Sequence, residues 1–151
     1  MAKRLIIDTN LLLLLVIGAV EGGRHIRNSD RLNAFTTLEY DNILKIMAEY
    51  DDIFITPYIA TEVSNLIDLD GHARTLAYEI AQNLFSKEFK KIEVDLATDC
   101  DSEFFGRFGI TDASLINLAP DYYILTSDHR LLGPLFASSP DTIIPFSCAN
   151  Q

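Results

Sequence analysis

Leu5-Ile6-Ile7-Asp8-Thr9-Asn10-Leu11-Leu12-Leu13-Leu14-Leu15-Val16-Ile17 is the stretch that decides the fold of this chain. Leu5-Ile6-Ile7 is continuously apolar, which fits a parallel strand (residues 3–7) covered on both faces. Asp8, Thr9 and Asn10 then interrupt the run. Thr9 or Asn10 can cap a helix over residues 11–19, ended by Gly22-Gly23. Residues 11–20 are uncharged but too short to span a bilayer, which takes about 20 residues. An aspartate within the apolar run also argues against a secretory signal. The run is therefore expected to be a buried strand followed by a buried helix.

The same pattern recurs along the chain. Leu38, Ile43, Leu44, Ile46 and Met47 form a stripe that predicts a helix over residues 36–49. Ile53-Phe54-Ile55 predicts a strand. Thr56-Pro57 opens a helix to about residue 67, with threonine as cap and proline in the first turn. Asp70 or Gly71 begins another, to about residue 85, with Leu76, Ile80 and Leu84 on one side. Residues 91–94 predict a short strand, and residues 102–108 a helix that stops at Gly109. Thr111 is expected to cap a helix through residue 118. Residues 122–125 predict a strand, 128–135 a short helix, and Ile143-Ile144 a last strand. Strands alternating with helices imply an α/β fold. The expected form is a three-layer α/β/α sandwich around a mainly parallel sheet of four to five strands, in one domain spanning residues 1–151.

Hydrophobic residues make up 48% of the 151, too many for a disordered chain and enough for a core that needs neither metal nor disulfide to fold. Cys100 and Cys148 suggest no disulfide framework or zinc site; two reduced thiols in a cytoplasmic protein are expected. His25, His72 and His129 are too scattered to nominate a triad. Asp68 to Glu79 has acids at three calcium-loop positions, but Ala73 stands where that loop needs glycine. No Walker or dinucleotide-binding loop occurs.

Four separated acids remain: Asp8, Glu62, Asp112 and Asp128. In an open α/β sheet, ligands gather beyond the carboxyl ends of the strands. Asp8 ends the first strand, and Glu62 lies beyond the first turn of the helix after the second. Asp112 sits at a helix start after Gly109, and Asp128 follows the strand at residues 122–125. Each has a local explanation: a helix cap for Asp8 and Asp128, an exposed helix position for Glu62, the helix dipole for Asp112. Their shared edge suggests more. Converging carboxylates repel unless hard cations such as Mg²⁺ or Mn²⁺ offset the charge. Such a site suits phosphodiester hydrolysis.

The net charge of −10 opposes broad binding to a polyanion, which relies on Lys and Arg. A local basic patch is required. Within residues 20–35, the stretch 24–31 carries Arg24, His25, Arg27 and Arg31 against Asp30, and would touch phosphates if that segment climbs to the active edge. Lys87, Lys90 and Lys91 form another small basic group.

These residues resemble the PIN-domain ribonucleases, which include toxins of type II toxin–antitoxin pairs. The matching stretches are Leu5-Ile6-Ile7-Asp8-Thr9-Asn10, Ile55-Thr56-Pro57 through Glu62-Val63, Ile110-Thr111-Asp112-Ala113 and Leu125-Thr126-Ser127-Asp128, in the family's order. The resemblance implies an endoribonuclease that hydrolyses single-stranded RNA with Mg²⁺ or Mn²⁺, using water activated by the metal. It places the metal-binding, catalytic acids at Asp8, Glu62, Asp112 and Asp128. It gives Asn10 and Thr126 a supporting role, orienting a carboxylate or a water as outer-shell groups do. It also implies a homodimer and an antitoxin or other protein partner. Two rivals stand beside it: a catalytically idle PIN-like module that binds a partner protein or RNA, and a metal-dependent DNase or phosphatase. The acidic charge and the long segment at residues 20–35 depart from the small toxins.

Overall fold

The structure, a computed structural model, describes residues 2–148; the ends of the expected domain, residue 1 and residues 149–151, lie outside them. Five strands form one sheet, β1 (Arg4–Ile7), β2 (Asp52–Ile55), β3 (Lys90–Lys91), β4 (Tyr123–Thr126) and β5 (Ile143–Pro145). They lie in the order β3-β2-β1-β4-β5, and every pairing is parallel. Leu5 pairs with Ile53 on one side and Tyr123 on the other. β1 is thus the central strand. Leu5, Ile6 and Ile7 are almost completely buried, as an unalternating apolar run requires.

Among the described residues, eight α-helices connect the strands: α1 (Thr9–Gly18), α2 (Thr37–Met47), α3 (Pro57–Leu66), α4 (Gly71–Asn83), α5 (Leu96–Asp101), α6 (Phe105–Phe108), α7 (Ile110–Leu118) and α8 (His129–Ser138). α1 packs with α2, α3 and α4, while α7 packs with α5, α6 and α8. Right-handed crossovers place the first set on one face of the sheet and the second on the other. The three-layer α/β/α sandwich is the architecture of the chain. The chain moves outward from β1 to β3, then crosses back to β4 on the other side of β1. The strand order therefore reverses between β1 and β4, and the crevice at their carboxyl ends is the switch point of the sheet.

α1 is buried all round, from Leu11 to Gly18, so it has no polar face. No helix among the described residues is long and apolar enough to cross a membrane. Gly18 permits the approach of α2: a Cβ there would lie 2.3 Å from the Tyr40 ring.

Several boundaries differ from expectation. Of the candidate capping residues for α1, Asp8 is the cap rather than Thr9 or Asn10. Its extended backbone comes straight from β1 and leaves its carboxylate to accept the Thr9 N–H. α1 ends at Gly18, and Gly22-Gly23 belongs to a separate 3₁₀ turn, Glu21–Gly23. The polar segment at residues 20–35 is ordered by two more such turns, Ile26–Asn28 and Asp30–Leu32, which bury Ile26 and Leu32. α4 continues into a π turn, Leu84–Glu88, so β3 begins at Lys90 rather than residue 91. The helix expected at residues 102–108 is the short α6, preceded by α5. Gly109, not Thr111, starts α7: its φ of +87° is readily available only to glycine.

Candidate functional site

Asp8 closes β1 and caps α1, which fixes its carboxylate at the switch point. It is 7% exposed. Oδ1 accepts the Thr9 N–H at 2.7 Å, and Oδ2 accepts the Thr126 hydroxyl at 2.7 Å. Burial pushes its pKa up. The Thr126 and Thr9 hydrogen bonds oppose this, and the charges of Asp128 and Glu62 add to it. The outcome is a carboxyl raised above its ordinary value.

Thr126 is buried at the end of β4. While its hydroxyl donates to Asp8, its oxygen accepts the Asp128 N–H at 3.0 Å. It thus joins the tips of two adjacent strands, reinforced by the Asp8 N–H bonded to the Leu125 carbonyl at 2.9 Å.

Asp128 caps α8, accepting the Arg130 N–H at 3.0 Å. Its Oδ1 also accepts Arg130 Nε at 3.2 Å, and its Oδ2 accepts Arg130 Nη2 at 2.9 Å. Burial alone would raise its pKa, but the side-chain and backbone hydrogen bonds from Arg130, and that residue's charge, hold it below the usual value. Asp112 stands in the first turn of α7, half-buried. Burial, then the charges of Asp8, Asp128 and Glu62, push its pKa up to about 7, against a lowering influence from Arg130. Glu62 reaches the same group from α3 and is exposed.

All four acids line a recess of about 140 Å³, together with Thr9, Asn10, Arg31 and Arg130. Every lining residue is polar. The Asn10 Oδ1 atom is buried and has no hydrogen-bond partner, an expensive condition for a buried acceptor. Arg31 reaches the recess from the turn Asp30–Leu32, as a climbing loop would allow. Arg24 and Arg27 do not line it: Arg24 pairs with Glu21, and Arg27 is exposed on its own turn. Lys90 pairs with Asp52, and Lys87 and Lys91 are likewise outside the lining. Arg130 was not legible as a site residue; the only signal was an arginine two positions after a capping aspartate.

Four carboxylates and an uncommitted amide oxygen are the donor chemistry of a hard divalent cation. The set fits Mg²⁺ or Mn²⁺ by type. As the side chains stand, no three His, Cys, Asp or Glu among the described residues surround one point closely enough to hold an ion. Both oxygens of Asp8 accept hydrogen bonds, from Thr9 and Thr126, and both oxygens of Asp128 accept from Arg130.

A larger recess of about 430 Å³ opens at the opposite end of the strands, beside Lys3, Arg4, Tyr122 and Tyr123. Its size does not make it the reactive site. Arg4 there is committed to the Asp121 carbonyl and the Tyr122 ring, and no acids converge. Four converging acids mark the smaller recess instead, because a fold tolerates such clustering only with compensation.

No protein-family model and no curated protein matches the chain.

Proposed function

We propose that this chain is a metal-dependent nuclease of the PIN type, cutting single-stranded RNA at phosphodiester bonds. The observation that carries this reading is the meeting of Asp8, Glu62, Asp112 and Asp128, drawn from four distant segments, in one polar recess at the switch point of a parallel sheet. Burial first, and the neighbouring acids second, raise the pKa values of Asp8 and Asp112, and a bound cation would offset both costs of holding these carboxylates charged.

In this reading the four acids hold Mg²⁺ or Mn²⁺. Thr126 fixes the orientation of Asp8 and the start of the loop carrying Asp128. Asn10 presents an uncommitted oxygen to the recess. When bound, such a cation supplies Lewis acidity and neutralises charge developing on a phosphoryl group. Arg31 stands where it meets the RNA backbone. A cytoplasmic setting, a homodimer and an antitoxin or other protein partner belong to the same proposal.

A second reading has its own support. Arg130 covers both oxygens of Asp128, and the net charge is −10. Both favour a PIN-like module that binds a partner without catalysis.

Cleavage assays with Mn²⁺ and with Mg²⁺ separate the two. Wild type is expected to cut single-stranded RNA, and Asp8→Asn and Asp112→Asn to lose that activity by orders of magnitude. Equal cleavage by both variants removes the four-acid site. An inert wild type under either metal favours the binding module. Single-stranded DNA and a small phosphate ester, run in parallel, distinguish a DNase or phosphatase.

A further inference from the structure

We propose that Arg130 is a substrate-binding residue that changes partners: it clasps Asp128 until a divalent cation takes that carboxylate, and the released guanidinium then grips a phosphate of the RNA backbone. The proposal rests on the nuclease reading.

Arg130 Nε and Nη2 reach separate oxygens of Asp128, at 3.2 and 2.9 Å. This is the two-pronged match between a planar guanidinium and a carboxylate. The oxygens so covered are the ones an incoming cation needs, so arginine and metal compete for them. Arg130 occupies in effect the place of missing positive charge, and its influence extends to Asp112.

The clasp is built to release. The Arg130 side chain is 71% exposed. Among the described residues, it hydrogen-bonds to Asp128 alone. With its guanidinium exposed and its carboxylate 24% exposed, the pair contributes at least the roughly two- to fivefold of an exposed ion pair to an equilibrium, which a doubly charged ion held by several acids exceeds.

Release leaves the guanidinium at the mouth of the recess, in the first turn of α8. Arg31 lines the same recess from another segment. A chain of net charge −10 needs a local cationic feature to meet RNA, and these two arginines provide it beside the acids. The guanidinium fork that fits a carboxylate fits a phosphate equally well, which a lysine ammonium does not reproduce. The exchange therefore couples the arrival of the metal to the uncovering of a phosphate ligand.

Two binding measurements test this on the full chain. One is Mn²⁺ binding without RNA, followed by the electron paramagnetic resonance of free Mn²⁺. The other is binding of a short single-stranded RNA in Ca²⁺ across a range of salt. Each is made for wild type, Arg130→Gln and Arg130→Lys. Arg130→Gln is expected to bind Mn²⁺ about two- to fivefold more tightly. Its RNA affinity should fall, with a salt slope shallower by about 0.7, the value for one lost single-strand phosphate contact. Arg130→Lys should also bind Mn²⁺ more tightly, because it lacks the fork, but keep the salt slope. Unchanged Mn²⁺ affinity in Arg130→Gln overturns the proposal and leaves the nuclease reading standing. Tighter Mn²⁺ with an unchanged RNA slope overturns it as well. If neither wild type nor variant binds Mn²⁺, the nuclease reading itself fails and takes the proposal with it.

Discussion

The Thr126 hydroxyl donates to Asp8 Oδ2 at 2.7 Å, joining the tip of β4 to the tip of β1 at the point where the strand order reverses. Both groups are buried, so the bond is made where water cannot replace it. Thr126→Val keeps the shape and deletes the donor, at a cost of about 1.5–3 kcal/mol for a lost hydrogen bond to a charged group. In a chain of this size each kcal/mol lowers the melting midpoint by about 2–4 °C. Thr126→Ser should recover most of the loss. Calorimetry of the three proteins checks this, and Mn²⁺ affinity should follow the same order because Asp8 loses its orientation in the valine variant.

Asp112 makes the metal-free protein sensitive to pH. Its folded pKa is about 7 against an ordinary 3.8, so the folded state holds the proton more firmly than the unfolded chain. Its contribution to stability is therefore complete below about pH 4 and is lost as pH rises through 7. Asp8 is shifted in the same direction. Asp128 is lowered, so its contribution is lost only on acidification below the ordinary carboxylate range. Between pH 4 and 7 the melting midpoint of the metal-free protein should carry a falling component that Asp112→Asn abolishes. Metal binding must expel the Asp112 proton. Mn²⁺ affinity should accordingly weaken as pH falls below 7, and a flat profile would show that Asp112 is not a ligand.

Much of the fold is legible because burial and periodicity coincide in it. Leu5-Ile6-Ile7 is apolar and buried; Thr56-Pro57 caps and opens α3 as its residue types dictate. α5 is illegible for the opposite reason. Leu96 is 60% exposed while Asp99 is 5% exposed, so its polarity pattern is inverted. Its buried acid is satisfied by residues 41 and 18 positions away, which no local rule reports. The start of α7 is illegible because Thr111 has the residue type of a cap while Gly109 has the backbone of one. Within the site, the acids were legible from where strands end. The Arg130 clasp was not, since it depends on a rotamer that sequence does not specify.

Gly18 tests the packing of α1 on α2. An added Cβ would meet the Tyr40 ring at 2.3, 2.8 and 2.9 Å, closer than any real contact, so α2 must shift or the ring must leave its place. Gly18→Ala is expected to destabilise by about 1–3 kcal/mol, the usual cost of overpacking, although alanine is the better helix former. Gly106 lies in α6 with nothing within 4 Å of a Cβ. Gly106→Ala should be neutral or slightly stabilising. Denaturant unfolding of both separates sterics from helix propensity, since propensity alone would stabilise each.

Asp99 fastens α5 to both helices that carry site acids. Its Oδ2 accepts the Tyr58 hydroxyl of α3 at 2.9 Å, and its Oδ1 accepts Asn117 Nδ2 of α7 at 3.0 Å. Glu62 lies one turn along α3 from Tyr58, and Asp112 precedes Asn117 on α7. The carboxylate thus ties together the elements that set the spacing of two acids it does not touch. Tyr58→Phe leaves a buried carboxylate oxygen without its donor, which costs about 1–3 kcal/mol. Asn117→Leu removes the other donor with a similar loss. A double-mutant cycle should show a coupling of about 0.5 kcal/mol or more, because both residues act through one carboxylate. If the cross-tie also positions the site, Mn²⁺ affinity falls in Tyr58→Phe at temperatures well below its melting midpoint. An unchanged affinity there would confine Asp99 to holding the fold together.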